Sequence, residues 1–441
     1  MKTHYRSAVL ETAQEPLDIA VGLAASGLST TSVVHEAPGE WSVALGVAAE
    51  VVVDATSVRC TSLGVTREEP WSGDPLAVVR EFLSGLRISD WTAYGWCAFE
   101  LSHAVAGMTV DEGTLLHLVV PETELRLTGS RIHLRSLTSS ALTAAEEALA
   151  RIAAGIAPIA PTASQPVRVD LENGAETYRH SVASLIEEIR AGKLQKAILS
   201  REVPVTADVD FPASYRKGRL ENTPARSFLL EMGGLSCFGF SPETVVEVSA
   251  DRRVSSQPLA GTRALTGDAD LDRKLREDLL SDPKELHEHA ISVKVAVDEL
   301  IGPCEPDSVV VEEYMSVKER GSVQHLASRV VGRMPEDASP WDGFAAVFPA
   351  VTASGVPKLP AYQAIQRHEQ SRRGPYAGAV LKVSEDGSMD AALVLRSVYA
   401  QDGRTWLRAG AGIVGHSHPD RELEETREKL RCVATSLLAR A

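Results

Sequence analysis

Two Glu-x-x-Glu pairs, Glu285/Glu288 and Glu422/Glu425, stand far apart in the chain, each in a segment that reads as the start of a helix. Carboxylates three residues apart share a helix face. Two such faces brought together offer only oxygen ligands, the donor set of a hard octahedral cation such as Mg²⁺, and a cation held there would anchor an anionic substrate. The same residues also have a purely structural reading. In SDPKELHEH (281–289) Asp282 fits an N-cap and Pro283 the first helical position, so Glu285 also suits a capping box. In SHPDRELEETREKL (417–430) acidic residues in a first turn are favoured by the helix dipole in any case.

Other residues carry chemistry singly. Lys196 opens a strand-like run, KAILSREVPV, beside apolar Ala197 and Leu199. A lysine desolvated there becomes a base near neutrality, whereas one at a strand end reaches water. Glu243, in FGFSPETVVEV, is an acid at the head of an apolar strand: a general acid if buried, a turn residue if not. Tyr376 (RRGPYAGAV) and Arg396 (AALVLRSVY) suit a carboxylate clamp, the arginine through its planar fork. His325 stands alone in ERGSVQHLAS. His287, His289, His416 and His418 form two His-x-His pairs, and residues two apart on a helix diverge, so joint ligation is not expected. GAGIVG (410–415) matches a dinucleotide pattern, but the helix after it leaves no second parallel strand for a β-α-β unit. Gly410 and Gly412 are instead read as a turn offering backbone N–H groups to an anion at a helix N-terminus.

The elements that position these residues follow from periodicity. Before residue 137 short β-like runs alternate with turns (WSVALGV, AEVVVDA, TAYGWCAFEL, LLHLVVPE, ELRLTG, RIHLRSL), and an Ala-rich helix is expected over 139–156. A Pro-rich stretch marks a soft boundary at 157–172, dividing the chain into portions 1–165 and 166–441. Helices are expected over 178–193, 269–280, 283–301 and 419–439, and strands at 196–205, SFLLEM, CFGF, TVVEVS, AGAVLKVS, AALVLRSVYA and TWLRAGAGIV. Strands grouped between helices without β-α-β alternation predict an α+β fold with antiparallel sheets.

Composition narrows the function. Of 441 residues, 44% are hydrophobic and 24% charged, the balance of a globular protein, and the net charge of −15 argues against nucleic acid or an anionic membrane as partner. An anionic ligand would need a few local cations. No apolar run approaches a membrane span and MKTHYRSAVLETAQE has no apolar signal region, so a cytoplasmic location is expected. Five cysteines without C-x-x-C spacing predict reduced, packed thiols.

The ordered blocks KAILSR, FGFSPE, QPLAGTRAL, SDPKELHEHAISV, SVQHLAS, FPAVTASGVPK, RRGPYAGAV, LVLRS and RAGAGIVGHSHPDRELEETREKL together closely resemble the chorismate-utilising enzymes. This family includes the anthranilate, aminodeoxychorismate, isochorismate and salicylate synthases. The resemblance runs from about residue 178 to the end and implies one large α+β fold, two facing sheets with helices outside, that absorbs the first 165 residues. Lys196 is similar to the lysine that activates water in the isochorismate- and salicylate-forming branches. Thr352 in FPAVTASGVPK is similar to the version found where pyruvate is eliminated. Ala260 stands where the aminodeoxychorismate branch carries lysine. No feedback signature or glutaminase elbow is present, so no glutaminase subunit is expected.

The resemblance therefore implies a Mg²⁺-dependent conversion of chorismate through isochorismate to salicylate and pyruvate, of the mycobactin siderophore type, by a monomer. Glu288 and Glu425 would hold Mg²⁺, with Glu285 and Glu422 acting through water. Gly261, Thr262 and Lys429 would contact substrate near the metal, and Tyr376, Arg396, Gly410 and Gly412 would take the enolpyruvyl carboxylate. Lys196 would be the base and Glu243 the acid, with His325 and Thr352 shaping the second step. Gln257 and His287 depart from the family pattern. The rival readings are an isochorismate synthase that stops after one step, an anthranilate synthase, and a non-catalytic chorismate binder.

Overall fold

The computed structural model describes residues 2–156, 165–321 and 323–440. Two large sheets dominate. One has eleven strands and the other twelve on its main path, and the strands pair antiparallel throughout both. The α+β expectation holds. Each sheet draws strands from both the 1–165 and the 166–441 portions. The expected linker falls partly on 157–164, outside the described residues; in its remainder Val167 N–H donates to Leu437 O, tying the chain to the segment that follows the last helix.

Strand alternation builds two cores. Val33, Leu230, Tyr399 and Ala411 join residues of the twelve-stranded sheet, such as Tyr94, Leu118, Val380 and Leu393, in one cluster between the sheets. Their neighbours Val34, Leu229 and Val398 face the other way, against the helices Pro16–Ala24, Ser139–Ala153, Phe211–Glu221 and Pro419–Ala434.

Two segments depart from the sequence reading. AALVLRSVYA is two strands, Met389–Leu393 in the twelve-stranded sheet and Ser397–Gln401 in the eleven-stranded one. The chain changes sheets through Arg396, which takes a left-handed conformation (φ 51°) to turn the corner. The glycines of GAGIVG form no turn at their start: Arg404–Ile413 is one continuous strand, antiparallel to Lys196–Val205 and to Ser397–Gln401.

Candidate active site

The site lies where the chain crosses between the sheets. Leu235–Ser241 belongs to the eleven-stranded sheet and Thr244–Val248 to the twelve-stranded one, so Glu243 sits in the crossing. The Arg396 crossing runs alongside it. Phe240 N–H donates to Arg396 O (3.2 Å), Leu393 N–H to Glu243 O (3.1 Å), and Ser241 Oγ to Glu243 O (2.8 Å). Two corners, one carrying an acid and the other a cation, thus brace each other through their main chains.

Glu243 is buried. Burial pushes its carboxyl up to about 8, against the opposing pull of the Thr352 hydroxyl, the Leu259 N–H and the charge of Lys196. Thr352, in the short helical turn Val351–Ala353, donates to both carboxylate oxygens at 2.8 and 3.1 Å. At neutral pH this group holds its proton, as a general acid must.

Arg396 is half-buried, and no acidic side chain pairs with it among the described residues. Its Nη2 donates to His325 Nε2 (3.0 Å) and its Nη1 to Arg320 O (3.5 Å). A guanidinium has no acceptor, so His325 must accept at Nε2 and carry its hydrogen on Nδ1, which lies 2.8 Å from Thr262 Oγ1. Burial, with Arg396 and Lys429 acting in the same direction, holds this imidazole well below its ordinary range. His325 is therefore a neutral prop that fixes Arg396, and the unpaired guanidinium is available to an anion.

Lys196 begins the strand Lys196–Val205 and pairs with Val356 of the short edge strand Gly355–Val356. Its Nζ lies 3.8 Å from Glu288 Oε2. Gly412 makes this approach possible: a Cβ there would stand 3.1 Å from Lys196 Cε. A Cβ on Gly410 would meet Leu199 O at 2.6 Å and the Tyr376 hydroxyl at 2.9 Å. The glycines do offer backbone groups, though not as a helix-capping nest. Ile198 N–H goes to Ser354 O and Ser200 N–H to Glu369, so their partners Gly412 and Gly410 form the wide pairs of the ladder and direct their own N–H and C=O groups away from that strand. Lys429 Nζ takes Gly410 O at 2.9 Å and Glu425 at 2.7 Å.

Gly412→Ala is expected to lower turnover about tenfold through displacement of the Lys196 side chain, with a melting temperature within about 3 °C of wild type. Steady-state kinetics beside a thermal melt checks this.

The four glutamates lie on the helices Pro283–Ile301 and Pro419–Ala434. Asp282 is the N-cap, accepting from Lys284 N and Glu285 N, but Glu285 closes no capping box. It pairs with Arg263 (3.2 Å), which also holds Asp278 and Asp282. Lys284 stands 3.9 Å from Glu288, and the charges of Lys284 and Lys196 both reach Glu425. Burial pushes the Glu422 carboxyl up, and the nearby Glu425 adds to the rise. Among the described residues no three His, Cys, Asp or Glu side chains converge at metal-ligand spacing; the lysines stand among the carboxylates instead. The all-oxygen donor set and the like-charge stress on Glu422 fit a hard divalent cation. Gly261 (φ 85°) lets the Leu259–Ala264 strand pass close to this region, since a Cβ there would lie 3.3 Å from Glu285 Oε2.

Lys284 and Arg263 carry no signal in the sequence beyond Lys284's i,i+4 spacing to Glu288. The discounted His289 is buried, bonded to Ser328 Oγ (2.7 Å) and Ala260 O (3.2 Å), and burial lowers it to about 4. The cysteines form no disulfide among the described residues, and no helix there is long and apolar enough to cross a membrane.

Sheets that cross at an acid and an unpaired arginine, facing a lysine and two glutamate helices, define a class: residues 30–435 match the family model described as chorismate binding enzyme. The chain belongs to that family and is a chorismate-utilising enzyme. Within the family it is 42% identical over 97% of its length to the salicylate synthase of Mycolicibacterium paratuberculosis, covering 94% of that protein. Among solved structures it resembles anthranilate synthase component I from Streptococcus pneumoniae (TM-score 0.75, 26% identity, 90% of this chain and 92% of that one). It also shares its fold with the menaquinone-specific isochorismate synthase from Escherichia coli (TM-score 0.75, 22% identity, 99% and 95%).

Proposed function

We propose that this chain is a cytoplasmic, monomeric, Mg²⁺-dependent enzyme that converts chorismate through isochorismate to salicylate and pyruvate, for siderophore synthesis, without a glutaminase partner. The observation that carries this reading is a buried Glu243 within reach of the Lys196 charge, with Lys196 set against Glu288 and an Arg396 that has no acidic partner among the described residues. The likeness to the mycolicibacterial salicylate synthase over nearly the whole chain supports the two-step endpoint.

Lys196, once it has given up its proton, removes one from water as the water oxygen bonds to ring C2. Glu243 gives its proton to the departing C4 hydroxyl, and the ring double bonds shift to give isochorismate. Arg396, Tyr376 and the N–H groups of Gly410 and Gly412 hold the enolpyruvyl carboxylate, and His325 keeps the guanidinium aimed. Gly261, Thr262 and Lys429 line the ring-carboxylate end. Glu288 and Glu425 would hold Mg²⁺, with Glu285 and Glu422 acting through water, and the cation would neutralise ring-carboxylate charge. In the second step the C2 hydrogen moves to the enolpyruvyl methylene as the C3–O bond breaks, releasing pyruvate. Here the chain's part is to hold the reactive conformer, with Thr352 fixing Glu243 beside it.

The test is incubation of purified protein with chorismate and Mg²⁺, with and without EDTA, followed by chromatography of all products. Equimolar salicylate and pyruvate, lost with EDTA, is the expected result. Glu288→Gln should raise the Mg²⁺ concentration for half-maximal rate at least about tenfold. Isochorismate as the end product would move the chain to the one-step branch. Ammonia-dependent anthranilate, or binding without turnover, would overturn the reading.

A further inference from the structure

Behind the site lies a charged cluster that the chemistry above does not use. Glu369, which ends the helix Lys358–His368, and the arginines Arg373 and Arg408 are almost wholly sealed from water, their side chains 3%, 1% and 1% exposed. Glu369 Oε1 accepts from Arg373 Nη2 (2.6 Å), Ser200 N (2.7 Å) and Ser200 Oγ (2.9 Å), and its Oε2 accepts from Arg408 Nη2 (2.7 Å). Arg373 Nε also donates to Glu369 (3.0 Å to Oε2), while Nη1 donates to Ala353 O and Nη2 to Ile198 O, both at 2.7 Å. Arg408 Nε donates to Ser200 Oγ (2.8 Å). The Tyr376 ring has a guanidinium on each count, 5.6 Å from Arg373 and 5.7 Å from Arg408.

The bonds end beside three site residues. Ile198 and Ser200 are two and four residues beyond Lys196 on one strand, Ala353 follows Thr352, and Tyr376 is held directly. We infer that Glu369, Arg373 and Arg408 are positioning residues, one buried ion-pair cluster that fixes the Lys196 strand, the Thr352 turn and Tyr376 relative to one another. This rests on the proposed roles of those three residues. A buried ion pair adds little net stability over an apolar replacement, but a planar fork with its donors committed in fixed directions sets geometry in a way that a lysine ammonium does not.

Arg373→Lys keeps the charge and removes the fork. The test is hydrogen exchange on the folded variant, followed by kinetics with chorismate. Segments 196–200, 349–356 and 374–378 are expected to exchange together at least about tenfold faster than in wild type, with Leu116–Val120 unchanged. The kcat should fall by about 30-fold or more without a matching loss of melting temperature. Unchanged exchange at 196–200 or at 349–356 overturns the inference, as does a kcat within about threefold of wild type. Glu369→Gln, nearly isosteric, is read in the same way should Arg373→Lys not fold. Exchange reports on the cluster whether or not wild-type protein turns over chorismate, so failure of the proposed reaction is seen separately, in the wild-type assay.

Discussion

Lys196→Ala should abolish measurable water addition, lowering kcat with chorismate by about 10³-fold, some 4 kcal/mol in the barrier, while chorismate still binds within about threefold of wild type. The separation follows from where the residue stands. Lys196 Nζ reaches toward Glu288 across the open face of Gly412, whereas the cationic groups assigned to the two carboxylates lie on other elements, Arg396 (enolpyruvyl carboxylate) at the sheet crossing and Lys429 (ring carboxylate) on the last helix. Neither depends on Lys196 for its hydrogen bonds. The fold should tolerate the change, because the lysine belongs to neither hydrophobic cluster. Isochorismate supplied directly bypasses the missing base, so the variant should still release pyruvate from it within about threefold of the wild-type rate. Calorimetric titration and pyruvate release from each substrate check these outcomes. Near-normal turnover of chorismate would remove Lys196 from the role of base.

How much of this was legible in the sequence depends on how local each signal is. The strand Lys196–Val205 begins and ends where its apolar run does, and the helices Ala269–Ser281 and Pro283–Ile301 follow their caps Asp268 and Asp282. Local chemistry was enough for these. The long hairpin Val310–Arg320/Val323–Arg333 has no clear signal in the sequence, since EEYMSVKER is largely polar and its outer strand is an exposed partner of the sheet. Helices such as Pro75–Ser84 and Pro340–Val347 each carry a cap and an N-terminal proline, but they are too short for periodicity to stand out. AALVLRSVYA reads as one strand because nothing local marks Arg396 as a corner.

The site divides in the same way. Residue types and family blocks picked out Lys196, Glu243, Arg396 and the glutamates, but their relations are tertiary. That His325 accepts from Arg396, that Arg263 and Lys284 stand among the glutamates, and that Gly410 and Gly412 clear space on a strand rather than cap a helix all depend on contacts between distant segments. Glu369, Arg373 and Arg408 show the limit most clearly. In sequence they are ordinary charged residues, and only the sheets packed over them turn them into a buried cluster.

Glu243 gives the second large effect, and its pH dependence has a definite sign. Glu243→Gln keeps the size and an oxygen for Thr352 but has no proton to give, so kcat should fall by about 10²- to 10³-fold. In the wild-type enzyme burial pushes this carboxyl up to about 8. The acid is intact below that pH and is lost as pH rises through it, so kcat should decline on the alkaline side around pH 8. The Gln variant's residual rate should lack that decline. Thr352 supplies an independent check. Its hydroxyl stabilises the carboxylate form and so lowers the carboxyl from where burial alone would put it. Thr352→Val should therefore move the decline to higher pH, whereas a change that acted only through packing would lower the rate without moving it. A decline that persists unshifted in Glu243→Gln would assign the titration to another group and leave Glu243 without its role as acid.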